Sequence, residues 1–165
     1  MQFDTLITNA NIATMSDTFG YTKDTPYGAI HGGAVGIKDG KIAFVGTMGE
    51  LGTATANKII DAKQGWLTPA LMDCHTHVVY GGNRSNEFEM RRNRLDYKDI
   101  AKQGGGILST VKATRQADFD ELYELSLPRF KSLVSQGVGT IEIKSGYGLD
   151  LDNERKMLQV AKKLG

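Results

Sequence analysis

Asp73-Cys74-His75-Thr76-His77 decides the reading of this chain, because it places two of its three histidines one residue apart at the end of an apolar run. Side chains of an extended strand alternate between faces, so His75 and His77 are expected to point the same way, with Cβ atoms roughly 6.5–7 Å apart. Two imidazoles at that spacing can lean together on one metal ion through nitrogens at about 2.0–2.1 Å. The lead-in Leu67-Thr68-Pro69-Ala70-Leu71-Met72 reads as the start of a buried strand, with Pro69 tolerated near its first residue. Gly81-Gly82-Asn83-Arg84 reads as the loop beyond. Cys74 falls on the opposite strand face and is expected to be a small buried apolar residue, not a ligand.

Downstream, Asn86 to Gln103 reads as a helix with Phe88, Leu95 and Ile100 among its apolar positions, and Gly104-Gly105-Gly106 interrupts it. That triplet has neither a Walker lysine nor Rossmann spacing, so it is not read as a phosphate cradle. Ile107 to Ala117 is a second helical run. Asp118 with Glu121 three residues on gives a capping-box-like start to a third. Its apolar face is Phe119, Leu122, Phe130, Leu133 and Val134, with a kink or break expected near Pro128 and a stop at Gly137. Val138 to Ser145 is a second buried strand, with Ile141 and Ile143 on one face and Glu142 and Lys144 on the other. Asp152 and Asn153 open a last helix with Met157, Val160, Ala161 and Leu164 at helical spacing.

Upstream, Leu6-Ile7 and Asn11 to Met15 are candidate strands, and Asp17 to Gly33 reads as an irregular loop carrying a surface His31. Asp39-Gly40 suits a two-residue hairpin turn, pairing Ile37 with Ile42 and Val35 with Phe44 on one apolar face. The expected organisation is a small β-rich module over residues 1–66, followed by strand–helix units over 67–165, an α/β architecture.

The composition, 40% hydrophobic and 24% charged over 165 residues, is that of an ordinary globular chain. A net charge of +1 offers no electrostatic footprint for nucleic acid or an anionic membrane. Arg91, Arg92 and Arg94 are interleaved with Glu87, Glu89, Asp96 and Asp99, which reads as a solvated helix face. Met1-Gln2-Phe3-Asp4 has no basic, apolar leader pattern, no segment has the apolar length of a membrane span, and one cysteine makes no internal disulfide. A cytoplasmic setting fits.

If the His75 and Glu142 strands are parallel neighbours in an α/β barrel, Leu71, Asp73, His75 and His77 face its interior. Arg84 and Tyr147 then lie in loops beyond the strand C-termini, where barrel enzymes build their sites. A catalytic metal usually takes three protein ligands, yet no histidine follows His77. About two strand–helix units are present where a barrel needs eight. The chain is therefore expected to be the N-terminal portion of a larger enzyme, binding metal weakly and inactive alone.

Asp73-Cys74-His75-Thr76-His77, Gly82-Asn83-Arg84 and Glu87-Phe88-Glu89 together resemble the imidazolonepropionase family of metal-dependent amidohydrolases. Gly104-Gly105-Gly106-Ile107, Ser109-Thr110-Val111, Ala113-Thr114-Arg115 and Glu142 through Asp150 extend the likeness over Leu67 to Gly165. The resemblance implies a small β-sandwich-like module followed by the first units of an incomplete (β/α)8 barrel. It implies His75 and His77 as ligands of zinc or iron, and Arg84 and Tyr147 as contacts to 4-imidazolone-5-propanoate. The implied reaction is hydrolytic opening of that cyclic amide to N-formimidoyl-L-glutamate, in histidine degradation. A small substrate bearing a carboxylate suits the guanidinium fork of Arg84. Glu142 and Lys144 are read as a buried ion pair propping the strand, with a carboxylated Lys144 bridging two metals as the alternative. Three positions depart from the family pattern: Ala70 stands for Gly, Asn93-Arg94-Leu95 for a Gly-containing turn, and Gly139 for Thr. The rivals are another amidohydrolase acting on a cyclic imide, ureide or heterocyclic amine, and a non-catalytic fragment. The sequence sets no oligomeric state, and a homodimer of the full-length enzyme is one arrangement open to it.

Overall fold

The computed structural model describes residues 1–19 and 26–165. The chain divides into two compact units, Met1–Pro69 and Ala70–Gly165.

The first unit is a five-stranded sheet of β1 (Gln2–Ala13), β2 (Ala29–Lys38), β3 (Lys41–Thr47), β4 (Thr55–Asp61) and β5 (Trp66–Leu67). Its order is β3-β2-β1-β4, and β5 pairs with β1 at Asn11 and Ile12. That pairing claims Leu67 for the first unit, so the boundary falls at Pro69 and not after residue 66. The two short strands expected at the N-terminus are one, β1, bulged between Ile7 and Ala10 where Asn9 takes a φ of 54°. His31 lies within β2, not in a loop, with Nδ1 3.1 Å from Asn11 Oδ1. Residues 20–25 of the expected irregular loop lie outside the described residues.

Asp39 (φ 50°) and Gly40 (φ 71°) turn the hairpin with the two positive φ values its twist demands. Ile37 pairs with Ile42 as expected, but a bulge after Gly36 sets Val35 opposite Val45 and Phe44 opposite Gly36. Phe44 instead packs with Phe3, Leu6, Ala34 and Leu51. Val35 joins Ala10 and Ile12 in a separate cluster, so adjacent residues of β2 feed two apolar groups rather than one. A one-turn helix, α1 (Met48–Leu51), starts on a capping box between Thr47 and Glu50.

In the second unit β6 (Leu71–Thr76) and β7 (Val138–Ile143) pair in parallel. Helices α2 (Ser85–Arg92), α3 (Tyr97–Lys102), α4 (Ile107–Gln116) and α5 (Phe119–Ser135) fill the crossover a parallel pair requires, and α6 (Leu151–Leu164) follows β7. The core joins Val78 and Val79, just past β6, to Leu122 of α5 and to Met157, Val160 and Leu164 of α6. The apolar face read for α6 is thus the face that is buried. Asp118 caps α5 by accepting the Glu121 N–H at 2.9 Å, and Asp150, earlier than expected, caps α6 through the Asn153 N–H at 2.9 Å.

Several expectations are corrected. β6 begins at Leu71, and it is not buried: Leu71 and Met72 are 56% and 71% exposed, and Cys74 is exposed. The cause is that β6 and β7 form a sheet of two strands, leaving each with an unpaired edge. For the same reason the Glu142–Lys144 pair, 2.6 Å apart, is exposed rather than buried. The helix expected over 86–103 is two helices, broken where Arg94 takes a φ of 65°, and Phe88 is 75% exposed. Helix α5 runs unbroken through Pro128. The carbonyl that Pro128 leaves without a donor belongs to Glu124, an exposed residue that water can reach.

Ala70 and Gly139, two of the positions read above as departures, are spatial neighbours. A Cβ on Gly139 would sit 2.6 Å from the Cβ of Ala70, so the extra methyl at 70 occupies the space a side chain at 139 would need. Gly139→Ala is expected to destabilise the chain by about 1 kcal/mol, the low end of overpacking because both positions are exposed. Adding Ala70→Gly should restore most of the loss, and urea unfolding of the single and double variants checks this.

Candidate metal and substrate site

The histidine pair is built differently from an ideal alternating strand. Between the pairs Asp73↔Ile141 and Thr76↔Ile143 the register shifts, so β6 is irregular at Cys74–His75. The Asp73 carboxylate contributes to that irregularity by accepting the His75 backbone N–H at 3.3 Å. It serves the main chain and not an imidazole ring. His77 lies one residue past the end of β6, yet the two rings still meet, with centroids 5.3 Å apart. Among the described residues His77 Nδ1 is buried with no hydrogen-bond partner.

Aromatic side chains extend from the pair. Tyr147, in the loop after β7, has its ring centroid 5.6 Å from that of His77 and 6.0 Å from that of Tyr80. Tyr80, Asn83, Arg84, Thr110 and Tyr147 line one cavity of about 270 Å³. Arg84 and Tyr147, 63 positions apart in sequence, thus share a cavity wall, and the Tyr147 ring on that wall touches His77, which itself lines a neighbouring cavity with Tyr80 and Arg129. Tyr80, Asn83 and Thr110 were not singled out as site residues; no charge or spacing marks them.

The loops that carry these side chains are held through their main chain. Arg129 of α5 donates to the carbonyls of Val78 and Tyr80 and lies 3.6 Å over the Tyr80 ring, pinning the turn after His77. Gly81 N–H donates to Thr114 Oγ1 at 2.9 Å in a buried contact. The Tyr147 loop is held from two sides. Glu154 Oε1 accepts the N–H groups of Gly148 and Leu149, both at 2.8 Å, and Arg115 Nε donates to Gly148 O at 2.6 Å. Arg115 also pairs with Asp150 at 3.2 Å.

Arg84 precedes α2, and its guanidinium is already engaged. Nε donates to Glu87 Oε1 at 2.7 Å and Nη2 to Oε2 at 2.6 Å. Glu87 is 4% exposed, contrary to the solvated face read from its neighbours, and its Oε1 also accepts the Gly106 N–H at 2.6 Å. These bonds, the Arg84 pair foremost and Gly106 after it, outweigh burial and hold the Glu87 carboxyl at about 2, below its ordinary 4.5. A depressed carboxyl stabilises the fold above its ordinary range, and the contribution is lost as pH falls from there through about 2. The pair is therefore ionised throughout neutral and mildly acid conditions.

Among the described residues no three His, Cys, Asp or Glu side chains form a metal-holding group, and no helix is long and apolar enough to cross a membrane. No family model matches the chain. Its sequence is 51% identical, over 99% of its length, to an imidazolonepropionase from Psychrobacter cryohalolentis, of which the match spans 42%. It is 50% identical over its whole length to that of Shewanella piezotolerans, of which it spans 40%. The chain thus spans about two-fifths of the length of these relatives. The fold is shared with molinate hydrolase (TM-score 0.53, 15% identity, 98% of this chain and 27% of that one). It is also shared with a metal-dependent hydrolase of Pyrococcus furiosus (TM-score 0.51, 12% identity, 96% of this chain and 47% of that one).

Proposed function

Because the chain belongs by sequence with the imidazolonepropionases, of which it spans some two-fifths, we propose that the full-length enzyme hydrolyses the cyclic amide of 4-imidazolone-5-propanoate to N-formimidoyl-L-glutamate. In this reading residues 70–165 are the first units of a (β/α)8 hydrolase barrel, His75 and His77 are two of the metal ligands, and Arg84 and Tyr147 bind substrate. The lone free cysteine accords with a cytoplasmic setting.

The observation that carries the reading is the single cavity lined by Arg84 and Tyr147, one aromatic contact away from His77. A carboxylate-bearing ring fits such a wall: a cation for the carboxylate and a phenol O–H for a ring or carboxylate oxygen, with the His77 imidazole in contact behind Tyr147. The histidines fit a metal on their own evidence. A buried ring nitrogen without a partner is rare and calls for a ligand, which His77 Nδ1 is placed to supply. Imidazole nitrogen suits zinc or iron, and the pair gives part of a donor set. When bound, the ion supplies Lewis acidity toward water and the ring carbonyl. Arg84 and Tyr147 orient the substrate, and the Arg129 and Glu154 clamps keep the loops from drifting as it enters.

Arg84 variants of the full-length enzyme test the substrate. Loss of its charge-assisted hydrogen bonds, worth roughly 1.5–3 kcal/mol, should raise KM for the imidazolone propanoate about ten- to hundred-fold in Arg84→Ala. Arg84→Lys keeps the charge without the fork and should be impaired less. Metal content should be unchanged in both, and a ring analogue lacking the carboxylate should be affected far less. Equal impairment of both substrates would make Arg84 structural and return the assignment to a hydrolase of another cyclic amide.

A further inference from the structure

The sequence treats Arg84 as a free fork, but in the structure one side of that fork is taken. Arg84 has five N–H donors. Glu87 accepts from Nε and from one hydrogen of Nη2, at 2.7 and 2.6 Å, leaving both hydrogens of Nη1 and the second of Nη2. The side chain of Glu87 is 5% exposed against 36% for Arg84, so the carboxylate is the fixed member and the guanidinium the one that reaches toward solvent. Glu87 is itself anchored by the Gly106 N–H at the start of α4. A Cβ at Gly105 would come within 2.7 Å of Ile100 Cγ2 and 3.2 Å of Glu87 Oε1, so the close approach of this loop to Glu87 depends on glycine at 105. Thr110, on the first turns of the same helix, lines the cavity with Arg84. Glu87 therefore ties the orientation of Arg84 to the helix forming part of the cavity wall.

We propose that Glu87 is a positioning residue that fixes the guanidinium side-on, so that Arg84 offers its Nη1/Nη2 edge, and only that edge, to the carboxylate of a substrate in the cavity. The proposal rests on the substrate reading above for the identity of the ligand, but not for the coupling between the two side chains. An arginine held by a buried partner has already lost the rotamer freedom that binding would otherwise remove. Specificity for a substrate ending in a carboxylate then follows from one edge held in one direction.

The test is a double-mutant cycle in the full-length enzyme, using 4-imidazolone-5-propanoate and a ring analogue without the carboxylate. Glu87→Gln keeps the shape and an acceptor for Gly106 but removes the charge. It should raise KM for the carboxylate substrate about ten-fold, the worth of one charge-assisted hydrogen bond, with kcat changed far less. The analogue should be affected far less than the propanoate substrate. In an Arg84→Ala background the same substitution should add almost nothing, because Glu87 acts through Arg84. A further ten-fold loss in that background, or an equal loss for both substrates, would overturn the proposal. A readout independent of turnover separates this proposal from the substrate reading: hydrogen exchange at Arg84 Nε, followed by nitrogen-15 NMR. It should be slow in the parent protein and fast in Glu87→Gln. If the parent protein fails to open the imidazolone while Nε exchange behaves as described, the substrate reading fails and the positioning stands. Fast exchange in the parent protein would overturn the positioning whatever the substrate.

Discussion

His77→Ala in the full-length enzyme is expected to lose bound metal and turnover together, by more than about a hundred-fold in rate. Removing a partner that merely touches a metal ligand already costs roughly 10- to 100-fold in affinity or activity, and a ligand itself costs more. His77 carries a buried Nδ1 that has no hydrogen-bond partner among the described residues, so truncation removes the nitrogen best placed to meet an ion. His75→Ala should do the same, and a denaturant midpoint measured on each variant separates loss of a ligand from loss of the fold. Metal analysis beside a ring-opening assay decides it. Stoichiometric metal in either variant would remove that histidine from the ligand set.

The second large effect is expected at Gly81. A methyl there would lie 2.7 Å from Ala113 O, 2.8 Å from Ala113 C and 3.0 Å from Thr114 N, all backbone atoms of α4. Backbone cannot rotate aside as a side chain can, so Gly81→Ala must displace either the helix or the loop, at about 1–3 kcal/mol. The buried bond from Gly81 N–H to Thr114 Oγ1 would be strained with it. Because Gly81 lies between His77 and Arg84, the displacement should also reduce catalytic efficiency in folded enzyme. Thr114→Val offers a check without the clash: it strands the Gly81 N–H in a site where Thr114 is fully buried, for a cost of roughly 1–3 kcal/mol. Denaturant midpoints for both variants measure these losses, and unchanged midpoints would mean that the loop does not rest on α4.

Local chemistry made some of this legible. The Asp39-Gly40 turn, the buried face of α6 and the meeting of His75 with His77 each follow from neighbours a few residues apart. Where the outcome depended on a distant partner, sequence reading failed. The hairpin register slipped by one at Gly36 through a bulge that no pattern announces. Strand β4 carries no signal in the sequence, because its residues are largely exposed and show no apolar alternation; its pairing with β1 holds it. Glu87 reads in sequence as part of a solvated face, whereas the structure buries it between Arg84, three residues before it, and Gly106, 19 positions away. The family resemblance brought Arg84 and Tyr147 into view, but not what already holds Arg84.

The residues that follow Tyr147 are gripped by Glu154 and Arg115 through the peptide N–H groups of Gly148 and Leu149 and the C=O of Gly148. Such a grip is blind to the side chain at position 147. The backbone at 147 is therefore set independently of its side chain, which is left to pack on the core and to meet the His77 and Tyr80 rings. A change of ring at 147 would then be felt in packing and in the cavity wall, not in the path of the chain.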